Sequence, residues 1–127
     1  MKRLPRPLKS LRWISSSRKD YGAFPSKVQD QFGFELFLAQ LGQHPPSAKL
    51  LKGLGSGVVE LVEDHDGDTY RAVYTAHLAS AVYVLHAFKK KSKGGIKTPK
   101  SDIELIKRRF KDAVADNALR VKQEHKP

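Results

Sequence analysis

Arg71, the lysines at 89, 90, 91, 93 and 97, and the imidazoles of His77 and His86 are the side chains best suited to chemistry on an anion. A guanidinium fork grips two phosphate oxygens at once, whereas ammonium groups neutralise phosphate as point charges and lose protons more readily when like charges crowd them. Imidazole exchanges protons near neutral pH. Each of these groups also has a plainer reading. Arg71 as an exposed strand residue pairs with an acid across a hairpin, the lysines only neutralise phosphates, and His86 is a satisfied structural histidine. Tyr70, Tyr74 and Tyr83 offer stacking surfaces for a base, yet at strand spacing they are first of all core aromatics. Arg108 and Arg109 extend the basic face.

The composition removes other chemistries. With no cysteine there is no disulfide, zinc–thiolate site or thiol nucleophile. Asp64, Asp66 and Asp68 mimic the start of a calcium loop, but Thr69 stands where glycine is needed and Thr75 where the bidentate glutamate is needed. The glycines of Gly53-Leu54-Gly55-Ser56-Gly57 lack the Lys-Ser/Thr of a P-loop and precede a strand. No metal and no cofactor is expected.

Several elements must position the basic groups. Tyr70, Ala72 and Tyr74 alternate with Arg71, Val73 and Thr75, which sets Arg71 on the face opposite the tyrosines. Ala81 to Phe88 is almost continuously apolar and predicts a central strand covered on both faces, with His86 on the face of Val82, Val84 and Phe88. Lys89 to Lys93 then emerge at its end into a lysine-rich loop with Gly94-Gly95. Upstream, Leu8 to Ser15 reads as an edge strand and Arg18 to Phe24 as a short helix. Ser26 with Gln29 forms a capping-box pattern opening a helix to about Gly42, its stripe Val28, Phe32, Leu36 and Ala39. Val58 to Glu63, the turn Asp66-Gly67 and Tyr70 to Ala76 predict a hairpin. Ser101 with Glu104 marks a second capping box, opening a helix whose buried stripe is Ile103, Ile106, Phe110, Ala113 and Val114 and whose outer face carries Lys107, Arg108 and Lys111.

The reading is an α+β fold in the order β-α-α-β-β-β-α, a small and mostly antiparallel sheet with two N-terminal helices and a C-terminal helix. Its 127 residues suit one domain over 1–127, with the basic segment 1–12 and the tail 119–127 flexible. Residues 1–19 hold seven Lys/Arg and no acid, 20–85 hold four against eight, and 86–127 hold thirteen against five, within a net charge of +11. Positive charge at both ends around an acidic middle points to a polyanion partner, the ribosome included. No apolar run is long enough to cross a bilayer and none resembles a signal peptide, so no membrane partner and a cytoplasmic location are expected.

The series LKGLGSGVVEL, YRAVY, VYVLHAFKKKSK and KTPKSDIELIKRRF resembles the phage-derived, HigB-like branch of the RelE/ParE toxin superfamily over residues 50 to 111. The most specific parts are Leu85-His86-Ala87-Phe88-Lys89-Lys90 and the Thr98-Pro99 that follows. The resemblance implies the toxin of a type II toxin–antitoxin pair, a ribosome-dependent mRNA endonuclease that works without a metal and is restrained by a co-expressed antitoxin, often of helix-turn-helix type. It implies phosphate stabilisation by Arg71 and proton transfer by the lysines at 89 and 90; from the residues themselves, His86 is a further catalytic candidate and Lys91, Lys93, Lys97, Arg108 and Arg109 are candidates for RNA binding. His77 is a lesser candidate, and the tyrosine or histidine that some relatives place near the C-terminus is not clearly matched, with only His125 in the tail. Relatives commonly carry arginine after the Glu-Leu of the first hairpin strand, where this chain has Val62 and Glu63. The alternatives are a ParE-like toxin that blocks a protein target such as gyrase, and a phage-borne RNA-binding protein that has lost catalysis.

Overall fold

A computed structural model of the chain describes residues 8–91 and 98–124. Its elements are β1 (Ser10–Trp13), α1 (Ser17–Gly22), α2 (Ser26–Gln40), β2 (Lys49–Leu50), β3 (Val58–His65), β4 (Asp68–Thr75), β5 (Ala81–Lys91) and α3 (Lys100–Glu124). They form one five-stranded sheet in the order β1-β5-β4-β3-β2. β1 runs parallel to β5, and every other pair is antiparallel. The α+β class stands, with the two-residue β2 added to the expected order.

The hairpin forms as its turn chemistry dictates. Asp66 and Gly67 both take positive φ, 49° and 82°, which matches the twist of the flanking strands. The strands outrun their sequence signals because the ladder continues to His65↔Asp68 and Asp68↔Lys91. Helices cover both faces. Val28, Phe32, Leu36 and Ala39 of α2 pack on Val59, Leu61, Tyr70, Ala72, Tyr74, Val82 and Val84. On the other face Ile106 and Ala113 of α3 meet Val58, Val73, Ala81, Tyr83 and Leu85. Burial of each large side chain in these layers is worth roughly 1.5–3 kcal/mol.

Neither capping box forms. Pro25 is the N-cap of α2, so Ser26 lies inside the helix and the Gln29 amide reaches back to donate to the carbonyls of Gly22 and Phe24. α3 likewise starts at Lys100 with the Ile103 amide donating to the Pro99 carbonyl, which leaves Ser101 within the helix. Proline fits the helix entrance because it has no amide hydrogen to leave unsatisfied. Val114 is 41% exposed rather than buried, its expected place on the stripe being held by Arg109 at 7%. The helix continues past Ala118 to Glu124, and Ser10 to Arg12 belong to β1, so these parts of the segments expected to be flexible have regular structure.

A β-bulge governs the geometry of β5. The register passes from Val73↔His86 to Tyr74↔Val84, leaving Leu85 over. Simple alternation would place Val82, Val84, His86 and Phe88 on one face. Instead Val84 and Ala87 share the α2 side, while His86 and Phe88 lie opposite Val73 and Arg71 on the α3 side.

Candidate functional site

The lysines are part of β5, where alternation divides them. Lys89 stands opposite Tyr70 on the α2 side, 49% exposed by its side chain, with its ammonium 3.6 Å from Asp68. Lys90 stands opposite Thr69 on the α3 side. The crowding expected of neighbouring ammonium groups in a loop therefore does not arise between these two. Lys91 ends the strand, and Lys93, Lys97 and His125 lie outside the described residues.

Arg71 departs most from expectation. It shares the α3 side with Lys90, but it is only 4% exposed and donates from Nη1 to Glu60 Oε1 at 2.6 Å. Thr98, just before α3, donates to the other Glu60 oxygen at 2.9 Å. The pairing with a hairpin acid is as the plainer reading had it; the exposure is not. Glu60 sits one step along β3 from Val62, the residue opposite Arg71, so the ion pair is diagonal. An arginine committed in this way does not present its fork to a polyanion.

α3 runs antiparallel to β5 and touches it at successive points. His86 Nε2 lies 2.7 Å from Asp102 Oδ1, and the imidazole stacks on Phe88 with centroids 4.6 Å apart and planes at 19°. Arg109 is buried rather than part of a basic surface. It donates from Nη1 to the Leu85 carbonyl at 3.1 Å and from Nη2 to Ser16 Oγ at 3.0 Å, serving the residue the bulge leaves over. Burial pushes this guanidinium below its ordinary value, against the opposing charge of Asp20. Arg108, Lys107 and Lys111 are exposed and line a cleft of about 540 Å³ against Gly53 and Leu54.

Further along, Tyr83 donates to Asp116 at 2.6 Å, and Arg12 binds the same carboxylate through Nε and Nη2 at 2.8 and 3.1 Å. Burial favours the neutral acid at Asp116, but these hydrogen bonds and the Arg12 charge hold its pKa below the usual carboxylate value. The network ties β1, β5 and α3 together.

His77 follows β4 at the end remote from the lysines, its Nδ1 3.3 Å from Ser56 Oγ. It lines a cleft of about 410 Å³ with Lys9, His44 and Tyr74. A third cleft, of about 450 Å³, lies beside the lysine end and includes His86 and Lys89. Glu60, Asp102 and Asp20 are the partners that residue types alone did not single out. Only Glu60 left a signal, as the acid at period two between Val58 and Val62.

Among the described residues no group of His, Asp and Glu is arranged to hold a metal ion, and no helix is long and apolar enough to cross a membrane. Comparison with curated proteins gives no match. Among solved structures, the crystal structure of the toxin–antitoxin complex RelBE2 from Mycobacterium tuberculosis is similar at 19% identity and a TM-score of 0.42, over 67% of this chain and 94% of that one. Residues 19–111 match the family model described as Phage derived protein Gp49-like (DUF891). The chain belongs to this Gp49-like phage-derived family, a family of RelE/HigB-type toxins.

Proposed function

We propose that the chain is the toxin of a toxin–antitoxin pair and arrests translation as a ribosome-dependent, metal-independent mRNA endonuclease. The observation that carries this reading is the basic end of β5, where Lys89 and Lys90 project from a paired strand instead of a loop. RelE- and Gp49-like toxins are generally ribonucleases, which supports the same reading. In-line attack by a ribose 2′-hydroxyl needs a base for that hydroxyl, positive charge for the phosphorane and an acid for the departing 5′-oxygen. In this proposal Lys89 and Lys90 supply positive charge to the RNA from the two faces of β5, and Lys91, Lys93, Lys97 and Arg108 hold flanking phosphates. His86 acts as a positioning residue through Asp102, and Arg71 holds the hairpin to Thr98. The restraining partner is a co-expressed antitoxin with a helix-turn-helix DNA-binding part, and the place of action is the cytoplasm, with ribosome and mRNA.

The test is to induce the chain briefly with the adjacent small gene deleted and to map transcript 5′ ends. New ends inside coding regions are expected, with Lys89→Ala and Lys90→Ala each lowering their yield by about 10² at unchanged folding. Intact transcripts defeat the reading. A second reading is favoured by the Arg71–Glu60 pair, which withdraws the guanidinium from phosphate chemistry. It is a ParE-like toxin that blocks a protein target, and intact transcripts with stalled DNA replication select it. Harmless overexpression with retained RNA binding selects instead a relative that has lost catalysis.

A further inference from the structure

At the end of the sheet remote from Lys89 and Lys90, the chain before β1 lies against the end of α2. The Lys9 amide donates to the Gln40 carbonyl at 3.0 Å, and the Gln40 side-chain amide donates back to the Lys9 carbonyl at 2.7 Å. This exchange holds Lys9 at the cleft of about 410 Å³ formed by α2, the start of β3 and the end of β4. Ala39, Val59 and Ala76 give the cleft an apolar lining, and no Asp or Glu belongs to it.

Two groups of this cleft lack the partners that burial calls for. The partly buried Lys9 ammonium donates to the Ala76 carbonyl at 2.8 Å, which uses one of its three N–H bonds. Burial pushes it below its ordinary value, and no carboxylate pairs with it among the described residues. Tyr74 is 2% exposed, and its hydroxyl has no hydrogen-bond partner among the described residues. That oxygen is not one of the unpartnered atoms sealed from solvent, so its remaining surface opens on the cleft that Tyr74 lines. Burial, and then the charge of Glu35, push the phenol up to about 12, which keeps it a donor. A cation and a donor left over in one cleft call for a ligand that brings a negative charge and a second acceptor.

Glu35 limits that charge. Its carboxylate accepts from Gln31 and Ser47, and its field at the phenol disfavours a second anion there. The acceptor that Tyr74 meets is therefore neutral, and the ligand carries a single negative charge. Gln40, its nitrogen committed to Lys9, keeps its amide oxygen as an acceptor for an N–H. We propose that this cleft captures the C-terminal end of a partner polypeptide, with the carboxylate on Lys9 and the last peptide carbonyl on the Tyr74 hydroxyl. A chain end combines one carboxylate, a neutral carbonyl, an amide N–H for Gln40 and a small side chain for the apolar lining. Phosphate lacks the last three. The inference goes beyond RNA cleavage and involves none of the residues assigned to it.

The full chain is titrated with N-acetyl-alanyl-alanine, its C-terminal amide, acetate and inorganic phosphate while backbone amide resonances are followed. The peptide acid is expected to move the amides of Gly42, Gln43, Gly57 and Ala76 and to bind about tenfold more tightly than the peptide amide. Lys9→Met is expected to remove that preference. Tyr74→Phe keeps the ring and its packing and is expected to weaken binding of the peptide acid about fivefold. A merely structural hydroxyl has no protein partner to lose and would leave that affinity unchanged. Equal binding of acid and amide, shifts elsewhere, or an unchanged affinity in Tyr74→Phe overturns the site. Acetate or phosphate binding as tightly as the peptide acid overturns the assignment to a chain end. None of these readouts involves RNA, so intact transcripts after induction defeat the endonuclease and leave this site standing, whereas failure of the peptide to bind defeats the site and leaves the endonuclease.

Discussion

Removing the Arg71 guanidinium leaves the Glu60 carboxylate, 3% exposed, without its 2.6 Å partner. Breaking a buried pair from one side costs about 3–5 kcal/mol, whereas replacing both partners by apolar groups of similar volume is close to neutral. Arg71→Met is therefore expected to lower the urea midpoint steeply, and Arg71→Met with Glu60→Leu to restore most of it. Loss of toxicity in Arg71→Ala would accordingly report unfolding, not chemistry. The identity of the basic residues was legible in the sequence, and their exposure was not. Alternation places Arg71 opposite the tyrosines correctly, but whether that second face is open depends on α3, which arrives from the far end of the chain. Tyr74 adds a pH dependence of its own. Burial, helped by the charge of Glu35, pushes its phenol from 10.0 up to about 12. The folded state keeps the proton longer than the unfolded chain, so this contribution is complete below pH 10.0 and drains away as the pH climbs to about 12, a loss on the order of 2–3 kcal/mol. Alkaline titration followed by far-UV circular dichroism is expected to show it, and Tyr74→Phe to flatten the curve across that window.

Among the elements, β5 and α3 carry the site, and the bulge at Leu85 decides which side chains meet. Arg109→Leu keeps the apolar packing of the helix but deprives the Leu85 carbonyl of its donor, an expected loss of about 1–3 kcal/mol in chemical denaturation. Gly57 is a second test. With φ at +65° and a Cβ that would stand 2.3 Å from the His77 ring, Gly57→Ala is expected to destabilise by more than the ~1 kcal/mol of the backbone term alone. Pairing it with His77→Ala relieves the contact and leaves that term. The α2 stripe and the Asp66-Gly67 turn were readable because each rests on local periodicity or local turn chemistry. The bulge, the parallel partner of β1 and the reach of β5 through Lys91 were not, because each is set by a strand distant in sequence. A lysine run looks like a loop until the neighbouring strand that holds it is known.

At the scale of the whole molecule, a net charge of +11 favours any polyanion without selecting one. Ribosome or RNA affinity measured at rising salt is expected to fall linearly in its logarithm, with a slope reporting the phosphates neutralised, and Lys90→Ala to reduce that slope by about one. β1 lies beside β5 in parallel, and Arg12 reaches Asp116 across 104 positions of chain. Such closure cannot be completed while the chain is still emerging, since its first strand has to wait for the last helix to be made. A product abandoned before Asp116 keeps the ladder of β1 on β5 but lacks the carboxylate that Arg12 and Tyr83 share, so its opening strand is expected to be less firmly fastened.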